Sequence, residues 1–191
     1  MANIAIFASG NGSNFEAIAE AFKNDGKNKI RLLICNKTNA FVLERARKLN
    51  VPSRIITYSG REKADVEKEM LDVLKENQIQ IVFLAGFMKI FSGYFIREVK
   101  IPVVNIHPAL LPKHKGAHAI TDAHQSADEV TGITIHFVTE EVDSGEMILQ
   151  KSIRIDRTQP VDFLESEIHK LEHQWYPQVA KNICDKINNA L

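Results

Sequence analysis

A pair of polar residues closes a strongly apolar segment near the middle of the chain. Residues 103–112 read VVNIHPALLP, with Asn105 and His107 two positions apart and prolines following closely. Side chains at positions i and i+2 of a strand share a face, so this amide and this imidazole project together. An amide donor beside a titratable imidazole suits a reaction that develops an oxyanion. The alternative is a histidine satisfied by hydrogen bonds at the end of a core strand.

An acidic residue later in the chain could complete this pair. Asp143 lies in TEEVDSGEMI, which we predict to be a turn between two strands with Gly145 at the bend. A carboxylate in a polar loop is usually just solvated. It gains a catalytic role if it reaches His107, because a neighbouring carboxylate favours the protonated imidazole.

A glycine-rich turn near the N-terminus is the second candidate site. The segment FASGNGSNFEAI joins a predicted strand to a predicted helix, and Gly10 and Gly12 permit close approach of a ligand to the backbone. Ser13 and Asn14 stand where a helix N-cap belongs. Free backbone N–H groups at such a helix start bind anions, so we predict a phosphate site here. The alternative is a tight turn without a ligand.

This turn matches the dinucleotide-binding fingerprint only in part. Phe15 stands where the third glycine of that pattern belongs. Asn36 follows the second predicted strand, where an acidic residue usually binds the ribose of NAD, and Lys37 leaves only a thin case for NADP. The sequence therefore favours a phosphate ligand over a nicotinamide cofactor.

Two further segments carry residues that could bind ligands. The segment FLAGFMKIF is an apolar strand exit with Met88 and Phe91, which could line a pocket for a flat heteroaromatic ligand or simply pack in the core. His114 and His118 have metal-ligand spacing, but Gly116 interrupts the helix that this spacing requires. No carboxylate or cysteine completes a site, so we expect no metal.

Short apolar runs that alternate with helical patterns position these candidates. Such an alternation predicts an α/β fold with a mostly parallel sheet covered on both faces, and the short connection between the last two strands makes the sheet mixed. The predicted strands are Asn3–Ala8, Ile30–Cys35, Arg54–Thr57, Ile79–Gly86, Val103–His107, Ile133–Val138 and Met147–Ile155. The predicted helices are Asn14–Lys23, Phe41–Leu49, Arg61–Asn77 and a tail from Val161 to about Ala190 with a kink or break at Pro177.

The composition narrows the class of protein further. The 191 residues suit one domain, and 24 basic against 24 acidic residues give no electrostatic reason to expect a nucleic-acid or membrane partner. Cys35 and Cys184 are too few and too far apart for a disulfide framework, which fits a reduced cytoplasmic compartment. The N-terminal segment lacks a basic region and is typical of a first strand, not of a signal peptide.

Taken together and in order, these motifs resemble one enzyme family. ASGNGSN, LAGFMKIFS, NIHPALLPK, HFVTEEVDSGEMI and LEHQWYP occur with the spacing found in phosphoribosylglycinamide formyltransferases, the folate-dependent enzymes of purine synthesis. The resemblance covers nearly the whole chain. It implies a Rossmann-like three-layer formyltransferase domain over residues 1–191, with 10-formyltetrahydrofolate as co-substrate and glycinamide ribonucleotide as acceptor.

The resemblance also implies roles for individual residues. The catalytic set would be Asn105, His107 and Asp143. The ribonucleotide would be bound through its phosphate by Gly12, Ser13 and Asn14 and through its ribose by Glu172. The folate would contact Arg61, Met88, Lys89, Ile90, Phe91, Asn105, Thr139 and Glu140.

Some features depart from the family pattern or leave alternatives open. Lys89 stands where arginine is common, and His169 stands where relatives often have lysine or glutamine. A formyltetrahydrofolate hydrolase would use the same catalytic set with water as acceptor, and relatives of that kind usually carry an extra N-terminal module. The sequence leaves the oligomeric state open between a monomer and a homodimer.

Overall fold

The apolar runs form one seven-stranded sheet in this computed structural model, which describes residues 1–190. The strands are β1 (Asn3–Ala8), β2 (Lys29–Cys35), β3 (Ser53–Ile55), β4 (Ile81–Leu84), β5 (Val103–His107), β6 (Val130–Phe137) and β7 (Met147–Arg154). The helices are α1 (Ser13–Phe22), α2 (Val42–Lys48), α3 (Lys63–Glu76), α4 (Gly93–Glu98), α5 (Ala119–Gln125) and α6 (Val161–Ala190).

The sheet has the strand order β3-β2-β1-β4-β5-β6-β7. The pairs from β3 to β5 are parallel, whereas β6 runs antiparallel to both β5 and β7. The strand order reverses between β1 and β4, which makes that position the topological switch point of the sheet. Ligands of open α/β sheets bind outside the carboxyl ends of the strands at such a point.

Helices cover both faces of this sheet. One buried cluster joins the sheet to α1, α2, α5 and α6 and includes Ile6, Phe15 and Tyr176. The other joins the opposite face to α3 and α4 and includes Met70 and Phe95. Coverage on both faces explains why the central strands are apolar without alternation: all four side chains of β4 are buried.

The predicted α/β class, with a mostly parallel mixed sheet between helices, is confirmed. Helices α4 and α5, which have six and seven residues, were not predicted from the sequence. Two turns of helix or fewer are too short for a 3.6-residue period to stand out. The analysis also recognised one antiparallel step where the structure has two.

Of the predicted kink or break at Pro177, the break was wrong, because α6 continues through this residue as one helix from Val161 to Ala190. Proline removes one backbone hydrogen bond from a helix. Here the neighbouring Tyr176 and Val179 are buried against the sheet, so tertiary packing retains the helical path.

Candidate active site

The catalytic candidates lie where the carboxyl ends of adjacent strands meet. Leu84 at the end of β4 pairs with Asn105 of β5, and Leu84 also pairs with Phe7 of β1. Because these strands are parallel, the segments that follow them leave the sheet on the same edge. The glycine-rich turn after β1, the apolar segment after β4 and the Asn–His pair of β5 therefore surround one cleft.

The structure brings Asn105, His107 and Asp143 together in this cleft. The Nδ1 atom of His107 lies 3.4 Å from Oδ2 of Asp143, and His107 is 4% exposed. Both His107 and Asp143 line the cleft, as does Asn105. Asp143 adopts a positive φ of 51° in the turn before β7, which is a conformation that aspartate tolerates better than most residues. An ion pair of an imidazolium with this carboxylate would place a proton donor beside the Asn105 amide.

A second buried histidine belongs to this group and was missed from the sequence. His136 lies on β6 directly opposite Asn105, and the Asn105 Nδ2 group donates to His136 Nε2 at 3.3 Å. His136 Nδ1 donates to the Phe137 carbonyl at 2.9 Å, so the neutral ring holds its proton on Nδ1 and accepts from Asn105 at Nε2. Burial lowers the pKa of His136 below its ordinary value, which favours this neutral form.

The neutral His136 ring orients the Asn105 amide. With one N–H of Nδ2 directed at His136, the amide has a fixed rotation at the strand end. The sequence carries part of the signal for this contact, because it places His136 within a predicted strand. Thr134 and His136 are alternate positions of that strand and share a face. What the sequence lacks is the antiparallel register that pairs His136 with Asn105.

The loop that follows β5 folds over the catalytic pair. His107 Nε2 donates to the carbonyl of His114 at 2.7 Å, and the backbone N–H of Gly116 donates to Oδ2 of Asp143 at 3.0 Å. The His114 ring in turn donates to Asp128 at 2.9 Å. His107 thus carries a proton on Nε2, and its other nitrogen faces the Asp143 carboxylate.

The glycine-rich turn begins α1 at one end of the cleft. Gly12 is the N-cap and adopts a φ of 79°, in the left-handed region. A Cβ atom at this position would collide with the Val42 side chain and lie 3.0 Å from its Cα, so both conformation and space require glycine. The predicted capping by Ser13 and Asn14 was wrong, since Gly12 is the cap and no side chain caps the helix. The first N–H groups of α1 consequently lack a side-chain partner.

Side chains from α1 and α6 meet beside this helix start. Asn14 Nδ2 donates to Oε2 of Glu172 at 2.8 Å, and His169 Nδ1 donates to the same oxygen at 2.8 Å. The Glu172 carboxylate is buried, and all three residues line the cleft. The hydrogen bond to Glu172 raises the pKa of His169 above its ordinary value.

An apolar wall borders the other end of the cleft, which has a cavity volume of about 440 Å³. Met88 is 62% exposed and Ile90 66% exposed, although both are apolar and large. Behind them, the Phe91 ring stacks on Phe95 with centroids 4.0 Å apart. The following residues, which the sequence predicts to contact the folate, line the cleft: Met88, Lys89, Ile90 and Phe91 on this wall, and Thr139 and Glu140 opposite.

The apolar wall is fixed to the fold at both of its ends. The backbone N–H of Met88 donates to the buried Ser9 hydroxyl at 2.8 Å. The backbone N–H of Ser92 donates to Glu67 at 2.8 Å, and the Ser92 hydroxyl also bonds to this carboxylate. Glu67 is 0% exposed, so α3 supplies a buried anchor for the start of α4.

One predicted contact residue lies outside the cleft. Arg61 pairs with Glu69 at 2.7 Å and does not line the cavity. Within residues 1–190 no group of three His, Cys, Asp or Glu side chains is arranged so that it could hold a metal ion, and His114 is paired with Asp128. None of the helices in the described part of the chain is long and apolar enough to cross a membrane.

Comparison with known proteins defines the class to which this fold and this site belong. The profile of the formyl transferase family matches residues 2–180. The chain therefore belongs to the formyl transferase family.

Relatives similar to this chain over nearly its whole length include proteins named phosphoribosylglycinamide formyltransferase. The chain is 39% identical over 191 residues to the phosphoribosylglycinamide formyltransferase of Bacillus subtilis, covering 99% of this chain and 97% of that protein. It is 36% identical to the Escherichia coli enzyme of the same name, covering 96% and 87%. The crystal structure of glycinamide ribonucleotide transformylase 1 from Geobacillus kaustophilus matches with a TM-score of 0.92 at 38% identity, covering 96% and 99%. The predicted family resemblance is confirmed.

Proposed function

We propose that this chain transfers a formyl group from 10-formyltetrahydrofolate to the amine of glycinamide ribonucleotide in purine synthesis. The observation that carries the proposal is the position of Asn105, His107 and Asp143 between an apolar wall and the start of α1. Residues 1–191 would act as a single formyltransferase domain, which the family match over residues 2–180 supports.

The apolar wall is the proposed site of the folate. A flat heteroaromatic ring buries well against Met88, Ile90 and Phe91, and the exposure of the first two leaves this surface to be covered by a ligand. Thr139 and Glu140 would face the ring from the opposite side. Arg61 would contact the glutamate tail after leaving its pairing with Glu69.

The start of α1 is the proposed site of the ribonucleotide phosphate. Gly12, Ser13 and Asn14 present unpaired backbone N–H groups where the helix dipole favours negative charge. Glu172 would accept hydrogen bonds from the ribose hydroxyls. Phosphate and ribose contacts at one end of the cleft would direct the amine of the ribonucleotide toward Asn105 and His107.

The chemistry proceeds through a tetrahedral intermediate. The amine lone pair forms a bond to the formyl carbon, and the carbonyl electron pair moves to oxygen to give an oxyanion. The Asn105 amide and protonated His107 donate hydrogen bonds to this oxyanion. When the carbonyl reforms, the bond to N10 breaks; the amine loses a proton and N10 gains one, with His107 as the group that moves it. The Asp143 carboxylate, 3.4 Å from His107 Nδ1, would orient the ring during this transfer.

The loop over His107 has a defined place in this scheme. The His114 carbonyl accepts the Nε2 proton of His107 in the present structure. The formyl oxygen would take the place of this carbonyl when both substrates are bound. Positioning of both reactants in one cleft contributes several kcal/mol to the lowering of the barrier, roughly 7 or more in well-oriented cases.

The proposed partners are these two small molecules. We propose that the reaction needs no metal and no nucleic acid, and that the protein acts in the cytoplasm as a monomer or a homodimer. The two buried free cysteines, Cys35 and Cys184, support a reducing compartment.

One experiment separates this transferase from a hydrolase with the same catalytic residues. The protein is mixed with 10-formyltetrahydrofolate alone and formate is measured; glycinamide ribonucleotide is then added and the formylated product is measured. We expect little formate in the first step and stoichiometric transfer in the second. Rapid formate release that ignores the ribonucleotide would establish the hydrolase instead.

A further inference from the structure

His169 has surroundings that the catalytic scheme does not use. It lies on the first half of α6, lines the cleft, and donates from Nδ1 to the same Glu172 oxygen that accepts from Asn14. The imidazole is thus separated from the second residue of α1 by a single oxygen atom. The side chain of His169 is 43% exposed. It therefore faces both a buried carboxylate and the space that the ribonucleotide would occupy.

The charged groups around His169 and its neighbour His173 come from three helices. On α6 its Nε2 lies 3.6 Å from Glu165, and the ring of His173 stacks alongside with centroids 6.1 Å apart. On α1 lies Glu16, and on α2 lies Arg45, whose guanidinium pairs with Glu16 and donates to Asn11. The charge of Arg45 is therefore already engaged, and partial desolvation lowers the pKa of His173 below its ordinary value, which favours the neutral ring.

His169 is consequently the group that can add positive charge at this end of the cleft. Lys89, the lysine that lines the cleft, lies on the apolar wall near Tyr58. The Glu172 carboxylate by itself would repel a phosphorylated substrate. A protonated His169 offsets this charge while leaving the second Glu172 oxygen free to accept from hydroxyl groups.

We propose that His169 is a positioning residue that makes the affinity for the phosphorylated acceptor dependent on pH. The inference rests on the proposed function and deepens it. The neutral Nδ1–H form of the ring still donates to Glu172, so raising the pH removes the charge but keeps the hydrogen bond. Binding of the phosphate should then weaken while the catalytic groups stay in place.

The sign of the pH effect follows from the surroundings. Glu172 raises the pKa of His169 above its ordinary value of 6.5, so the ring is charged below the raised value and neutral above it. The KM for the ribonucleotide should therefore rise as the pH increases through this value. We expect an increase of about five- to ten-fold for the loss of one charge beside a phosphate.

Two substitutions at this position separate charge from hydrogen bonding. His169→Lys keeps a positive charge at all working pH values, and His169→Gln keeps a donor without charge. Relative to the lysine variant, wild type should have equal KM at low pH and about five- to ten-fold higher KM at high pH. The glutamine variant should have the high KM throughout, with kcat within about two-fold of wild type. Ionisation of the substrate itself affects all three proteins equally and cancels in these ratios.

A matched control is available one turn further along α6. His173→Gln removes the neighbouring exposed histidine, which makes no hydrogen bond to Glu172, and should leave the wild-type pH profile unchanged. Calorimetric titration of each protein with the ribonucleotide, without folate, gives the same comparison as a binding constant. The acceptor nucleoside that lacks the phosphate should bind to wild type without this pH dependence.

The possible results distinguish a failure of the proposed role of His169 from a failure of the proposed function. Formyl transfer by wild type with parallel pH profiles for the lysine, glutamine and wild-type proteins overturns the role of His169 but leaves the proposed function intact. A pH dependence that persists with the unphosphorylated acceptor also overturns it, because the charge would then act elsewhere. Absence of any transfer by wild type refutes the proposed function itself.

Discussion

At the scale of single residues, the site depends on two donors fixed by their neighbours. Asn105 is oriented by neutral His136, and His107 lies between Asp143 and the His114 carbonyl. The Asn105 amide is thus set before a substrate arrives, whereas His107 would exchange the His114 carbonyl for the formyl oxygen. In the proposed reaction, a preorganised donor such as Asn105 would stabilise the developing charge without reorganising.

This arrangement predicts the effect of removing each donor. Asn105→Ala should lower kcat by about 10²-fold or more, and His107→Ala should abolish measurable turnover. Binding of the ribonucleotide should be largely retained in both variants, because its proposed contacts lie on α1 and α6. Steady-state kinetics and calorimetric titration measure the two effects separately. His124→Ala, on a half-buried histidine of α5 that does not line the cleft, is the control; near-normal kcat in a folded His107→Ala protein would contradict the catalytic role.

The glycine-rich turn offers a prediction with an internal control. Gly12→Ala places a Cβ against Val42 at a φ of 79° and should cost about 1–3 kcal/mol of stability, with a raised KM for the ribonucleotide. Gly10→Ala meets no atom within 4 Å and should behave as wild type. Denaturant unfolding and the ribonucleotide KM are the measurements. Equal behaviour of the two variants would show that the special conformation of Gly12 is dispensable.

At the scale of elements, the loop after β5 is anchored by one aspartate on the far side of α5. Asp128 accepts from Lys113 at 2.6 Å and from His114 at 2.9 Å. Both bonds hold the loop in the position from which the His114 carbonyl reaches His107. Hydrogen bonds from Lys113 and His114 lower the pKa of Asp128 below its ordinary value of 3.8.

Release of this anchor should expose the loop to protease. The contribution of a carboxylate with a lowered pKa is complete above the ordinary value and is lost as pH falls through the lowered one. Tryptic digestion at mildly alkaline pH therefore samples the anchored loop. Asp128→Ala should speed cleavage after Lys113 and Lys115 several-fold, as judged by mass spectrometry. Asp156→Ala, an exposed aspartate outside this loop, should leave these cleavage rates unchanged.

Sequence patterns predicted those elements whose signal is local. The apolar runs that became β1, β4 and β5 were evident, and Asn105 and His107 share a face because strand geometry requires it. The short helices α4 and α5 lacked such a period. The role of His136 depends on the pairing of two strands, and the path of α6 through Pro177 depends on packing. No local pattern encodes either one.

At the scale of the whole molecule, α6 is attached to the sheet beneath the site. The fully buried Tyr176 hydroxyl lies 2.9 Å from the Leu84 carbonyl and 3.0 Å from the Val104 carbonyl. These atoms belong to β4 and β5, the two strands that end at the cleft. Tyr176 also lies one turn after Glu172, so this contact fixes the helix turn that carries the proposed ribose ligand.

Loss of this hydroxyl should affect global stability. Tyr176→Phe removes a buried hydrogen bond at nearly constant volume and should cost about 1–2 kcal/mol. For a chain of this size that corresponds to a decrease in Tm of roughly 2–8 °C, measured by calorimetry. Tyr94→Phe, at a 47% exposed position, should leave Tm unchanged. A Tyr176→Phe protein with wild-type Tm would show that the hydroxyl contributes nothing net.

The anchoring of the apolar wall has a consequence for its motion. The side chains of Met88 and Ile90 are among the most exposed apolar groups of the chain, yet the amides of Met88 and Ser92 donate to buried acceptors. Hydrogen exchange of those two amides requires an opening that frees Ser9 or Glu67 from the core, so it should be slow despite the exposed surface around it. Slow exchange would mean that the wall seldom opens, so that the proposed flat ligand would meet a surface that is already formed.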